Sequence, residues 1–126
     1  MRIITVNLIV EENGEILIVK RAGSQSEAGL WSLPGGTVKL KEPLKQALAR
    51  EIKEELNCLI NNLKLYDIIY NDNEVISYYY TGMLKGKIKL NQENSEYKWV
   101  KIKNLPKMAY DQHKLFNELS TDCLLI

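Results

Sequence analysis

The sequence predicts one layered domain of the α+β or α/β class. Several short runs of β-branched and aliphatic residues, separated by turn residues, indicate strands, and two segments with helical spacing of apolar residues lie among them. The chain has 126 residues, of which 45% are hydrophobic and 26% are charged. This size suits a single modest core and leaves no room for a second one. We therefore expect residues 1–126 to form one domain.

The chain is expected to begin with a β-hairpin. Segments 3–10 and 15–19 are rich in β-branched and aliphatic residues, as strands are. Between them lies Asn13-Gly14, a dipeptide that suits the positive φ angles of a tight hairpin turn. A polar loop over residues 22–29 follows, and the tight turn Pro34-Gly35-Gly36 comes shortly after it.

The clearest helical pattern runs from Pro43 to about Leu56. Proline suits the first helical position because its missing N–H group would have no intrahelical partner there. Asn57 is a suitable C-terminal stop for the same helix.

Four further strands and a second helix are expected after this helix. Segments 63–69, 75–83 and 87–90 indicate a meander, because the Asn71-Asp72-Asn73 and Lys85-Gly86 turns separate them. Segment 97–102 indicates one more strand. A last amphipathic helix is expected with Asp111 as its cap, and it carries three apolar residues on one side, Leu115, Phe116 and Leu119.

Composition excludes several classes of partner. The formal net charge of +1 gives no basic field for a phosphate backbone, so no nucleic acid polymer is expected to bind. Two cysteines and one histidine cannot supply a nitrogen or sulfur cluster, so any metal would have to be held by oxygen. The sequence shows neither a signal cleavage site nor an apolar run of membrane-spanning length. We expect a cytoplasmic protein that binds no membrane.

Three glutamates interrupt the apolar side of the first predicted helix. At about 100° per residue, the apolar side chains form one slowly turning stripe, and Glu51, Glu54 and Glu55 border or enter it. Burying several carboxylates close together is unfavourable without a counter-charge. A magnesium ion could provide that charge, because it is held by a few carboxylates together with water and phosphate oxygens. The members of the stripe are Leu44, Ala47, Leu48, Ile52 and Leu56.

The alternative is a solvated, salt-bridged helix surface, which is what most charge-rich helical segments form. Such a surface would require neither Gly35-Gly36 nor Glu42 upstream of the helix. Their presence therefore favours the metal site.

Residues 36–58 resemble the Nudix box. Its pattern is Gly, five residues, Glu, seven residues, Arg-Glu, an aliphatic residue, any residue, Glu-Glu, any residue, Gly and an aliphatic residue. Asn57 and Cys58 depart from its last two positions, although Asn tolerates the left-handed conformation that a helix end often needs. The flanking segments Trp31–Gly36 and 96–106 also resemble the family. Seven positions match the box, namely Gly36, Glu42, Arg50, Glu51, Ile52, Glu54 and Glu55.

The resemblance implies a fold, an activity and a cofactor. The implied fold is an α/β/α sandwich with a mixed central sheet between helices. The implied activity is magnesium-dependent hydrolysis of a phosphate anhydride bond in a nucleoside diphosphate derivative, with manganese as a substitute metal. The substrate would be a small nucleotide, and a homodimer is an arrangement found among many relatives.

The resemblance also assigns roles to individual residues. Glu51, Glu54 and Glu55 would hold the magnesium ions together with the carbonyl group of Gly35, while Arg50 would orient the carboxylates. Gly36 and Glu42 would belong to the same binding framework, and Arg21 would reach the substrate phosphates. The general base would be either a helix glutamate or a later one, for which Glu96 is slightly preferred to Glu93. An exposed position without a catalytic role is an equal alternative for both later glutamates.

Three functions fit the resemblance and the residue roles that it implies. The first is hydrolysis of a nucleoside triphosphate, with an intact or damaged base, to the monophosphate and pyrophosphate. The second is hydrolysis of a nucleotide sugar, a dinucleoside polyphosphate or another diphosphate-linked metabolite. Residues 73–76 lack the Pro or Tyr that marks the ADP-ribose and diadenosine polyphosphate branches, which argues mildly against those two. The third is a Nudix module that binds nucleotides without cutting them.

Overall fold

The computed structural model has a mixed β-sheet with helices against its two faces. It describes residues 2–23, 26–71 and 74–116, apart from the side chains of Asp111 and His113. In chain order the elements are β1 (Ile3–Glu12), β2 (Glu15–Arg21), β3 (Trp31–Ser32), β4 (Gly35–Thr37), α1 (Leu44–Leu56), β5 (Leu59–Tyr70), β6 (Val75–Lys85), β7 (Asn94–Val100) and two 3-10 helices, Ile102–Asn104 and Ala109–Phe116.

Strand β1 organises the sheet, because it pairs with three other strands. It runs parallel to β6 and antiparallel to β4, and its end forms the hairpin with β2. Strand β2 also pairs with β3 and β7, both antiparallel, while β5 lies at the edge beyond β6. The mixed central sheet is therefore confirmed.

The first hairpin is also confirmed. Asn13 and Gly14 have φ angles of 55° and 83°, which are the positive values that a tight hairpin turn requires. The amide of Gly14 donates a hydrogen bond of 2.8 Å to Oε1 of Glu11, which further stabilises the turn.

Apolar residues of β1 supply both faces of the sheet, because successive side chains of a strand point to opposite sides. Val6, Leu8 and Val10 pack against α1, whereas Ile9 packs on the other side with Met108. In α1 the predicted core stripe is buried, except that Leu44 is only partly buried. The stripe on α1 therefore fixes which side of the helix faces the sheet.

Three predictions about the elements need correction. Segment 87–90 is not a strand, because the amide of Lys89 bonds to the carbonyl of Leu56 at the end of α1 instead of joining a ladder. Strand β7 begins at Asn94, earlier than predicted, and ends before Ile102. The last helix is a 3-10 helix that begins at Ala109, so Asp111 lies inside it and is not its cap. Leu119 lies outside the described residues.

The helices of the described segments are too short or too polar to cross a bilayer.

Candidate active site

The end of α1 shows how the chain accommodates its departure from the Nudix box. Asn57 adopts the left-handed conformation, with φ 57° and ψ 35°, and its amide donates to the carbonyl of Lys53. Asn is one of the few residues other than Gly that take this conformation readily. The helix therefore ends in a conformation that Gly commonly supplies, and Glu51 and Glu55 in its last two turns contact β4.

Glu55 is buried, with only 5% of its surface exposed. Its Oε1 accepts a 2.8 Å hydrogen bond from the amide of Gly35, and its Oε2 accepts a 2.9 Å bond from Nδ2 of Asn94. Burial raises the pKa of Glu55 to about 7, although both hydrogen bonds oppose that rise. Asn94 was not identified from the sequence, because no local pattern shows that it meets a helix residue far away in the chain.

Glu51 lies against the backbone of Gly36. A Cβ atom on Gly36 would stand 2.3 Å from Cδ of Glu51, closer than any real contact of this kind. Burial raises the pKa of Glu51, while its hydrogen bond from Arg50 partly offsets the rise. The glycine therefore makes room for a largely buried carboxylate.

Replacing Gly36 by alanine should displace Glu51 and lower any metal-dependent activity by about tenfold or more, because small displacements of such groups are costly. Gly23→Ala is the matched control, since nothing lies within 4 Å of a Cβ atom at that position. Steady-state kinetics on both variants would check this. Equal activity of the two variants would contradict it.

Arg50 connects the segment before α1 to the carboxylates on α1. Its Nε and Nη2 atoms donate to the two carboxylate oxygens of Glu42, each at 2.8 Å, and Nη1 donates to Oε1 of Glu51 at 2.8 Å. Nη2 also reaches the carbonyl of Thr37 at 3.1 Å, and Glu54 lies 3.5 Å from Nη1. The bonds from Arg50 lower the pKa of Glu42 to about 2. The guanidinium thus joins three carboxylates and one strand carbonyl.

A cavity of about 240 Å³, called the acidic cavity below, brings most of the predicted site residues together. Its wall also includes Glu93, which is placed next to the end of β2 because the amide of Ala22 donates to the carbonyl of Glu93 at 2.9 Å. The residues lining it are Arg21, Gly35, Gly36, Thr37, Glu51, Glu54, Glu55, Glu93 and Asn94.

Glu96 does not line this cavity, contrary to the preference for it over Glu93. It lies opposite Lys20 in the β2–β7 ladder, and its carboxylate is 4.0 Å from Nζ of that lysine. Its neighbour at i+2, Lys98, lies over the ring of Trp31, which packs on the sheet face away from α1. Because alternate residues share a face, Glu96 points away from the carboxylates of the helix.

The residues of the acidic cavity fit a hard divalent cation. Glu51, Glu54, Glu55 and Glu93 line it together, and repulsion from Glu93 adds to the burial that raises the pKa values of Glu51 and Glu55. The described segments hold no group of three acidic, histidine or cysteine side chains already gathered for a metal. Magnesium does not need one, since it commonly takes one or two carboxylates and completes its octahedron with water and phosphate oxygens.

A second, larger cavity of about 760 Å³ adjoins the first and shares four lining residues with it, Arg21, Gly35, Gly36 and Thr37. Its floor carries a chain of buried amides. The side chain of Gln112 accepts a 2.8 Å hydrogen bond from the amide of Leu33 and donates to Oδ1 of Asn7 at 3.3 Å. The larger cavity thus offers fixed polar groups beside the acidic one.

Comparison with known proteins assigns the class. Residues 1–119 match the model of the NUDIX domain, and the chain belongs to the Nudix family. It is 31% identical to an ADP-ribose pyrophosphatase of Methanocaldococcus jannaschii over 122 residues, which cover 91% of this chain and 71% of that protein. An 8-oxo-dGTP diphosphatase of Buchnera aphidicola subsp. Schizaphis graminum is 29% identical over 103 residues, covering 81% and 78% of the two chains.

The fold matches that of a solved Nudix protein. The crystal structure of a MutT NUDIX hydrolase from Burkholderia pseudomallei superposes with a TM-score of 0.83 at 23% identity, covering 95% of this chain and 99% of that one. On the family match and the curated relatives, the protein is a Nudix hydrolase of nucleoside diphosphate derivatives.

The raised pKa of Glu55 predicts how the stability of the metal-free protein depends on pH. The carboxyl titrates near pH 4.5 when unfolded and near 7 when folded, so the folded state favours its neutral form. Stability from this group is complete below about pH 4.5 and is lost as pH rises to about 7, by about 1–3 kcal/mol. Unfolding in urea between pH 5 and 8 would measure the decline. In Glu55→Gln the decline in the free energy of unfolding should be much smaller. If the free energy of unfolding fell equally with pH in both proteins, Glu55 would not be the cause of the decline.

Proposed function

We propose that this protein hydrolyses a nucleoside triphosphate, with an intact or damaged base, to the monophosphate and pyrophosphate in a magnesium-dependent reaction. One observation carries the proposal: the acidic cavity opens beside the larger cavity, and Arg21 and the Gly35-Gly36 backbone stand in the wall that they share. A polyphosphate in the acidic cavity would then have its nucleoside in the larger one. A volume of about 760 Å³ is ample for a nucleoside.

The magnesium ions would be held by Glu51, Glu54 and Glu55 together with the carbonyl of Gly35. When bound, magnesium neutralises phosphate charge and lowers the pKa of water, and manganese would supply the same chemistry. The chain contributes placement: the amide of Gly35 and the side chain of Asn94 hold the two oxygens of Glu55 in fixed directions. Arg50 does the same for Glu51 and Glu42.

For the general base we propose Glu93 in place of Glu96, with a helix glutamate as the alternative. Glu93 lines the acidic cavity, so its carboxylate can accept a proton from a water molecule there, whereas Glu96 lies on the other side of the sheet. The water oxygen would bond to a phosphorus atom, its proton would pass to the carboxylate, and the pyrophosphate oxygen would leave with the electrons of the broken P–O bond.

Glu93→Gln should lower kcat by about 10²-fold, which is typical for the loss of a general base. Glu96→Gln is its matched control and should change kcat by less than about twofold, because Glu96 is exposed and only a 4.0 Å ion pair with Lys20 is lost. Single-turnover rates at saturating substrate would measure both. A larger loss in Glu96→Gln would reverse the assignment, and no loss in either variant would leave a helix glutamate as the base.

ADP-ribose is a second candidate substrate, favoured by the similarity to an ADP-ribose pyrophosphatase over 91% of this chain. Residues 73–76 argue mildly against it, since they lack the Pro or Tyr of that branch. Product release from a panel of substrates would decide between the two candidates. The panel contains canonical and oxidised nucleoside triphosphates, ADP-ribose, diadenosine polyphosphates and a nucleotide sugar. Pyrophosphate release from a triphosphate supports our proposal, whereas exclusive formation of AMP and ribose phosphate from ADP-ribose would replace it.

The same panel tests a non-catalytic nucleotide-binding module, which would bind its ligand and release no product. A cytoplasmic location, a homodimer and the absence of nucleic acid and membrane partners stay predictions from the sequence.

A further inference from the structure

Arg21 is the cationic side chain that both cavities share. Among the described residues that line the acidic cavity, it alone carries a positive charge. Its backbone is fixed on both sides, because its amide donates to the carbonyl of Leu30 at 2.9 Å and its carbonyl accepts from Gly29 at 3.0 Å. The side chain therefore starts from a well-defined point at the end of β2.

The guanidinium of Arg21 is held by Ser26 and Tyr110. Its Nε donates to the carbonyl of Ser26 at 2.6 Å, and Nη2 donates to the hydroxyl of Ser26 at 3.3 Å. The ring of Tyr110 lies against it, with 5.1 Å from Cζ to the ring centroid, which is within cation–π range. No described residue forms a hydrogen bond with Nη1, and the Arg21 side chain lines both cavities, where a ligand can reach it.

Tyr110 is hydrogen-bonded to Ser26 and Glu27, in the same loop that contacts Arg21. Its hydroxyl forms a hydrogen bond with the hydroxyl of Ser26, and its amide donates to Oε2 of Glu27 at 2.5 Å. Tyr110 and Glu27 both have left-handed backbones, with φ angles of 54° and 52°. Such strain in residues other than Gly persists only where surrounding contacts enforce it, and it is concentrated at functional sites.

We propose that Tyr110 is a positioning residue for substrate binding, and that with Ser26 it holds Arg21 so that the Nη1 edge faces the phosphate anhydride groups of the substrate. The inference rests on the proposed function for the class of ligand. Arginine has many rotamers, and those lost on binding would weaken affinity. Tyr110 and Ser26 restrict the Arg21 side chain before the ligand binds, so that less conformational entropy is lost on binding.

The test measures binding instead of turnover, so that it is independent of catalysis. The probe is a nucleoside triphosphate with a non-hydrolysable α,β-methylene bridge, titrated with magnesium by calorimetry. Tyr110→Leu should weaken binding about tenfold, since both the ring and the hydroxyl are lost, and Tyr110→Phe about threefold, since the ring remains. Tyr97→Leu is the matched control, an exposed tyrosine that lines neither cavity, and it should bind as wild type does.

A double-mutant cycle separates positioning from a structural role. If Tyr110 acts through Arg21, Tyr110→Leu should cost less than about twofold when Arg21→Ala is already present. The same tenfold loss in both backgrounds would overturn the inference, as would wild-type affinity in Tyr110→Leu or a wild type that does not bind the probe. Melting temperatures of all variants show which losses arise from unfolding. A wild type that binds the probe but hydrolyses no triphosphate would refute the proposed function and leave this inference standing.

Discussion

Glu55→Gln should lower kcat/KM for the best substrate by about 10³-fold while leaving the fold intact, because it removes the charge at the most buried carboxylate of the acidic cavity. The amide keeps the shape of the side chain, and its oxygen can still accept the hydrogen bond from Gly35. What it cannot do is neutralise a cation beside Glu51. Steady-state kinetics with saturating magnesium would measure the loss.

The matched control for this variant is Glu12→Gln, an exposed glutamate at the end of β1 that lines neither cavity. It should retain wild-type activity. The combination of lost activity with unchanged or higher stability at pH 8 would be specific to Glu55, because its buried charge destabilises the metal-free protein at that pH. If Glu55→Gln kept more than a tenth of the wild-type activity, Glu55 would not belong to the reaction centre.

The second large effect is expected at Arg50. Arg50→Lys keeps the charge but cannot reproduce the two parallel bonds to Glu42 or reach Glu51 and Thr37 at the same time. We expect kcat/KM to fall by about 10- to 100-fold, as happens when a residue that orients metal ligands is lost. The free energy of unfolding should fall by about 1–3 kcal/mol, because several partly buried charge-assisted bonds are broken.

Lys45→Ala provides the control for Arg50→Lys, since Lys45 is an exposed cation on the same helix. Its free energy of unfolding should stay within about 0.5 kcal/mol of wild type. Urea unfolding and magnesium titration of activity would test both variants. A variant at Arg50 with normal stability and normal magnesium dependence would show that its contacts with Glu42 and Glu51 have no functional consequence.

Local features of this protein were predictable from its sequence because their causes are local. Asn13-Gly14 forms the hairpin turn since both residues accept positive φ. The helix ends at Asn57 for a similar reason, and its stripe of apolar residues is buried as its spacing predicts. The same spacing accounts for the position of Glu55 at the edge of the core.

Features that depend on tertiary contacts were not predictable. The apolar residues at 87–90 indicate a strand, but packing against the end of α1 binds the backbone of Lys89 there. An irregularity in the β2–β7 ladder places Arg21 opposite Asn94 while Lys20 stays opposite Glu96. Simple alternation would put Asn94 and Glu96 on one face. The offset turns Asn94 towards Glu55, and the sequence gives no sign of it.

On our proposal, the carboxylates of α1 serve a magnesium-dependent cleavage of a phosphate anhydride. The most direct test is to measure pyrophosphate and nucleoside monophosphate released from the panel of triphosphates by the wild-type protein, with magnesium and with an excess of chelator. We predict equal amounts of the two products with magnesium and none with chelator. Cleavage that continues in chelator, or bound nucleotide that is never cleaved in magnesium, would contradict the claim.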